Sequence, residues 1–154
     1  MAKRYWLMKS EPDVYSIEDL ERDGRTHWDG VRNPVARKNM ESMQEGDLVF
    51  FYHSNAKPPG VAGIAEVVRE AYPDPSQFDR SSPYHDPKAT REKPRWSLVD
   101  VGFVERFADV VGLPEIKDTP ELEDMVLVRN SRLSVQPVQK SEWDRIVRVG
   151  RRKT

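Results

Sequence analysis

The sequence predicts an α+β domain whose strands build a curved sheet or small barrel, with short helices set around it. Three observations carry that expectation. Strand-length apolar runs recur along the chain, at 5–9, 48–52, 61–68 and 96–107. The helix signals between them are few and short. No repeat, low-complexity tract or compositional break divides the 154 residues, so one domain is expected, with its core from about Tyr5 to about Val149 and a basic tail at 150–154.

Each element has a local reason. Tyr5-Trp6-Leu7-Met8-Lys9 reads as a buried first strand that stops before Pro12. Ser16 caps a short helix with Ile17 and Leu20 on its inner face and Gly24 at its end. Asn33-Pro34 opens a second helix, the proline occupying the first position, where its missing N–H costs nothing. Met40 and Met43 lie three apart on its inner face, and Gly46 ends it. Leu48 to Tyr52 and Val61 to Val68 read as adjacent strands joined by the loop from Ser54 to Gly60.

Tyr72 to Pro94 is rich in proline and polar residues and reads as a long loop with a turn at Pro75-Ser76-Gln77-Phe78. Trp96 to Phe107 resumes strand character, with Val99, Val101 and Phe103 on one face and Trp96, Leu98 and Val104 on the other. Thr119-Pro120-Glu121 resembles a capped helix start. Leu133 to Val138 is the last strand, with Pro137 where pairing ends, and Ser141 caps a terminal helix bearing Trp143, Ile146 and Val147.

Composition narrows the chemistry. With no cysteine there is no disulfide, thiol nucleophile or cysteine-ligated metal. The apolar stretch that follows Met1-Ala2-Lys3-Arg4 is too short for a signal peptide or a spanning helix, so a soluble, cytoplasmic protein without a membrane partner is expected. A net charge of -1 argues against a continuous basic surface gripping long nucleic acid. Charge is nevertheless uneven: residues 105–124 are mostly acidic, and a run of basic residues from Arg129 to Lys153 reads as a solvated terminus. His27, His53 and His85 lack metal-ligand spacing, and neither the dinucleotide fingerprint nor the phosphate loop is present. No metal or cofactor is expected.

Trp28-Asp29-Gly30-Val31-Arg32-Asn33 is the densest functional signal, because it joins an indole face, a turn glycine, a guanidinium and an amide. That inventory suits a pocket for a planar, hydrogen-bonding ligand such as a nucleobase. The competing reading makes Trp28 a core anchor and Asp29-Gly30 an ordinary turn. Polar residues at strand ends would rim the ligand if they face inward and are merely solvated if they face outward: Ser10 after the first strand, Tyr52, His53 and Ser54 after the next, and Ser134 and Gln136, which alternation places on one face of the last.

Several ordered segments resemble the EVE domain family. They include Trp6-Leu7-Met8-Lys9-Ser10-Glu11-Pro12, Trp28 to Asn33, Phe51-Tyr52-His53-Ser54-Asn55, Gly63 to Val68, Pro94-Arg95-Trp96 and Arg132-Leu133-Ser134-Val135-Gln136-Pro137. One departure stands out: Pro34-Val35 precede Ala36-Arg37 where the family often carries Tyr-Gln, which implies a more open or differently selective mouth. The resemblance implies a PUA-like pseudo-barrel, related to YTH and ASCH domains, that reads a modified base in DNA or RNA without catalysis. The base, flipped or unpaired, would stack on Trp28 beside Val31 and be read by Ser10, Asn33, Tyr52, His53, Ser54, Ser134 or Gln136. Lys9, Arg32 and Arg37 would meet phosphates. Two alternatives remain open here: hydrolysis of acylated or alkylated nucleosides using Lys9, Ser10, Glu11 and His53, and a protein-interaction module docking through the acidic region and the basic tail.

Overall fold

Successive residues of a strand point to opposite faces, and in this chain both faces are apolar. Trp6 and Met8 join Val49 and Phe51 in one core, whereas Leu7 joins Phe50 and Tyr52 in another. Strands buried on both sides require a cover on each. The computed structural model, which describes residues 3–152, shows a mixed six-stranded sheet between two sets of short helices.

The elements run β1 (Tyr5–Ser10), α1 (Ile17–Asp23), β2 (Arg25–His27), α2 (Pro34–Ser42), β3 (Leu48–His53), β4 (Gly60–Pro73) and β5 (Ser97–Gly112). There follow α3 (Leu113–Lys117), α4 (Val126–Arg129), β6 (Val135–Val138) and α5 (Lys140–Arg152). The sheet order is β2-β5-β4-β3-β1-β6, with β1 parallel to β3 and every other pair antiparallel. Residues of α1 and α2 pack into the first core with Trp28 and Val31, while α3, α4 and α5 cover the second. This is the expected α+β class.

Local signals hold where a side chain makes its own contact. Ser16 caps α1 through a reciprocal pair with Asp19, and Gly24 closes it. Asn33 caps α2 by accepting from the Val35 and Ala36 N–H groups, with Pro34 in the first turn. That helix ends at Ser42, not Gly46, but Met43 remains buried as its C-cap. The turn at Pro75–Phe78 forms as a 3-10 helix. Buried Gln77 fixes it, donating to the Asp74 and Trp96 carbonyls and accepting from the Arg95 and Trp96 N–H groups.

Other expectations need correction. β4 and β5 span 14 and 16 residues, longer than the apolar runs indicate, because bulges let the ribbon bend through polar sequence. Val104 is the extra residue between the Ile64–Glu105 and Ala65–Phe103 pairs, so it faces solvent at 43% exposure instead of joining Leu98. Thr119 makes no cap; its hydroxyl donates back to the Glu115 carbonyl, and only a 3-10 turn at Pro120–Leu122 follows. Pro137 lies within β6 opposite Trp6, tolerated because β6 is an edge strand.

The terminal helix starts at Lys140, where the Glu142 carboxylate accepts from the Gln139 N–H; Ser141 is not its cap. Helix α5 continues through Arg152, so the tail is largely helical and Arg151 pairs with Glu105. Met1 and Ala2 of the N-terminal reading, and Lys153 and Thr154 of the tail, lie outside the described residues. Among those described, no helix is long and apolar enough to cross a membrane.

Candidate functional site

The link from β2 to α2 builds one wall of a cleft of about 630 Å3. The Trp28 N–H donates to the Val99 carbonyl at 2.9 Å, extending the β2–β5 ladder by one bond. Its indole meets the Phe51 ring edge-on, with centroids 5.3 Å apart. At 9% exposure Trp28 belongs to the first core and also lines the cleft. Trp28 is thus a core anchor with part of its surface on the cleft. Val31 does the same.

Gly30 and Arg32 bind this wall to the loop after β4. Gly30 has a φ of +82°, and the Tyr84 ring packs so closely that an added Cβ would lie 2.7 Å from it. We expect Gly30→Ala to cost about 1–3 kcal/mol in chemical denaturation and to push Tyr84 out of the cleft wall, weakening ligand binding. The Gly30 N–H donates to the Asp74 carboxylate at 2.9 Å. Arg32 donates to that carboxylate at 3.1 Å, to the Val31 carbonyl, to the Ser76 hydroxyl and twice to the Tyr84 carbonyl. All five N–H donors of the guanidinium have partners.

Asp74 is fully buried at the centre of this network. Burial pushes its carboxyl up, but hydrogen bonds from the Ser76 hydroxyl, the Gly30 and Ser76 N–H groups and Arg32 outweigh burial and leave it below the usual value.

Among the other expected residues, Ser10, Asn33, Ser54, Ser134 and Lys9 line the cleft. Three have engaged groups. The Ser10 hydroxyl donates to the Tyr15 carbonyl at 2.6 Å, and the Asn33 side-chain carbonyl is held by α2. Lys9 donates to the Ser131 carbonyl, and burial pushes its pKa down.

Four expected residues do not reach the cleft. Gln136 is fully buried in the sheet opposite Leu7, donating to the Leu133 carbonyl at 2.7 Å. Ser134 lies in a bend before β6, so strand alternation does not carry from it to Gln136. Tyr52 packs in the second core, on the opposite face from Phe51 and Trp28. His53 is buried, and its Nε2 accepts from the Ile17 N–H at 3.1 Å at the start of α1. Arg37 also lies away from the cleft, bonded to Glu41.

Burial pushes the His53 pKa down, with Glu18 opposing more weakly. A lowered folded value means that the contact stabilises fully above the unfolded histidine pKa of about 6.5 and loses its contribution as pH falls through the folded value. Unfolding free energy should therefore decline below about pH 6.5, and His53→Gln, which has no titration there, should flatten that slope in urea titrations.

Sequence reasoning missed Tyr84, Tyr15 and His27, which line the cleft together with Asp29 of the Trp28–Asn33 run. His27 flanks Trp28 and was within reach of the local pattern. Tyr84 was not: it enters from the long loop and reaches the site only through Arg32 and Gly30.

The model of the EVE domain matches residues 4–149. The chain belongs to the EVE domain family. Human thymocyte nuclear protein 1 is 42% identical over 159 aligned positions, covering 91% of this chain and 71% of that protein. A hypothetical protein from Leishmania major superposes with a TM-score of 0.95 at 53% identity, covering 98% of this chain and 96% of that one. Human THYN1 protein, crystallised in complex with 5-methylcytosine-containing DNA, superposes at 0.91 with 41% identity, covering 96% and 98%. The YTH domain of Zygosaccharomyces rouxii MRB1, at 18% identity and a TM-score of 0.57, shares the fold with this EVE domain.

Proposed function

We propose that this EVE domain binds a modified nucleobase, unpaired or flipped out of DNA or RNA, in the cleft beside Trp28, and leaves it unchanged. The observation that carries this reading is an indole wall at a 630 Å3 cleft in a chain closely similar to a protein crystallised with 5-methylcytosine-containing DNA. A base stacked on Trp28 gains roughly 1–3 kcal/mol, about what extrusion from a helix costs. Binding is then decided by contacts at the base edge and by the modification. One methyl group buried against Val31 or the indole contributes about 0.8 kcal/mol, roughly a fourfold preference. Greater selectivity requires a polar group that an unmodified base leaves unpaired; the Asn33 amide and the Ser54 hydroxyl are the candidates.

Of the residues suited to hydrolysis, Lys9, Ser10 and Glu11 line the cleft but are hydrogen-bonded within the fold, and His53 lies outside it. Glu11 accepts from Asn55 at 2.6 Å, Ser10 donates to Tyr15, and the His53 ring nitrogen is held by α1 outside the cleft. This supports binding over turnover.

The test is a titration of oligonucleotides carrying one 5-methylcytosine or one N6-methyladenosine against unmodified partners, at about 0.15 M salt. Preference of at least about fourfold for one modified form, with every nucleoside recovered intact, is the expected result. Equal affinities throughout would overturn the reading.

A further inference from the structure

The cations that the sequence offers for flanking phosphates are already engaged in the fold. Arg32 has an acceptor for each donor, Arg37 is bonded to Glu41 at 3.3 Å, and Lys9 donates to Ser131. A strand with one base in the cleft still carries a phosphate on either side of that base. Lys9 lines the cleft with donors to spare for one of them, and the other needs a further partner.

A second hollow, of about 470 Å3, is lined by Phe78, Arg80, His85, Thr90 and Arg91 among others, and every ionisable residue in its lining is basic. The lining itself carries two guanidiniums and an imidazole, with the Asp79 carboxylate close enough to interact with His85. Among the described residues, neither Arg80 nor Arg91 pairs with a carboxylate. The guanidinium of Arg91 sits over the Phe78 ring, 5.0 Å from its centroid, a contact that leaves its N–H donors unused. Asp79, beside Arg80 in sequence, accepts instead from the Ser81 hydroxyl and N–H at 2.6 and 2.9 Å.

Neighbouring residues of one loop line the two hollows. Tyr84 forms part of the cleft wall, at 39% exposure, and His85 lines the basic hollow. Arg32 grips the Tyr84 carbonyl through Nε and Nη2, at 3.1 and 2.7 Å, so the junction is fixed to the cleft. We propose that the basic hollow holds the phosphodiester next to the base seated beside Trp28, with Arg80 and Arg91 as its donors. The strand then leaves the cleft across Tyr84. This rests on the base-binding reading and adds the path of the backbone to it.

The test uses the full chain with Arg80→Ala and Arg91→Ala combined, both positions being exposed and outside the cores. A single-stranded oligonucleotide with one central 5-methylcytosine and its plain partner are titrated over a range of salt. The double variant should weaken both by the same factor and lower the slope of log affinity against log salt by about 0.7, one phosphate contact. The ratio between modified and plain should not move. Arg148→Ala with Arg152→Ala on α5 should leave the slope as in the wild type. An unchanged slope in the Arg80/Arg91 variant would overturn the proposal, as would inorganic phosphate binding the hollow as tightly as the oligonucleotide does. Failure of the base reading is seen separately, as equal wild-type affinity for the two oligonucleotides.

Discussion

Asp74→Ala should lower the unfolding free energy by about 3–5 kcal/mol, because it leaves the Arg32 guanidinium without its counter-charge beside a fully buried site. The same change strips an acceptor from the Gly30 and Ser76 N–H groups and from the Ser76 hydroxyl. Both the turn after Trp28 and the loop that presents Tyr84 are then loosened together. Combining it with Arg32→Leu should recover part of the loss, since the second change removes the stranded charge. Urea titrations of the single and double variants measure this. The acid limb provides a second check. The lowered Asp74 carboxyl stabilises fully above the unfolded value of about 3.9 and ceases to do so as pH falls through its folded value, so Asp74→Asn should remove that limb.

Trp28→Ala should cost about 3–5 kcal/mol of stability, since the ring is buried against Phe51 and Val31 as well as facing the cleft. In a domain of this size that lowers the melting temperature by roughly 6–20 °C. Loss of binding in that variant would confound stability with recognition. Trp28→Phe keeps most of the buried volume and part of the stacking surface. It should remain folded at 25 °C while losing roughly 2- to 13-fold in affinity for a modified-base oligonucleotide, about half of the 1–3 kcal/mol that full removal of the stacking ring costs. Near-UV circular dichroism and thermal unfolding establish the fold, and a titration reads the binding.

Much of this architecture is legible where one side chain makes its own local contact. Ser16, Asn33 with Pro34, and Met40 announce helix starts and inner faces because the interaction lies within a few residues. The strand runs are legible for the same reason. β2 is not, because its three residues are polar and half exposed, and it exists only through pairing with β5. The sequence also points to the Trp28–Asn33 wall, as well as to Ser10, Ser54 and Ser134. Tyr52 and Gln136 mislead for a single reason: when both faces of a strand are buried, period-two alternation separates the faces without saying which one the ligand meets. Arg32 misleads differently. A guanidinium next to a candidate pocket reads as an anion site, yet distant Asp74, Ser76 and Tyr84 converge on it through the fold.

The central claim places a modified base against one particular indole among four. The direct measurement is the set of tryptophan indole N–H resonances in a 15N-labelled chain, with Trp28 assigned by its disappearance in Trp28→Phe. On titration with a single-stranded oligonucleotide carrying one 5-methylcytosine, the Trp28 resonance should shift far more than with the plain oligonucleotide. Trp143, packed against Phe50 in the second core, should stay in place. A Trp28 signal that is indifferent to the modification, or a larger response from Trp143, would contradict the account.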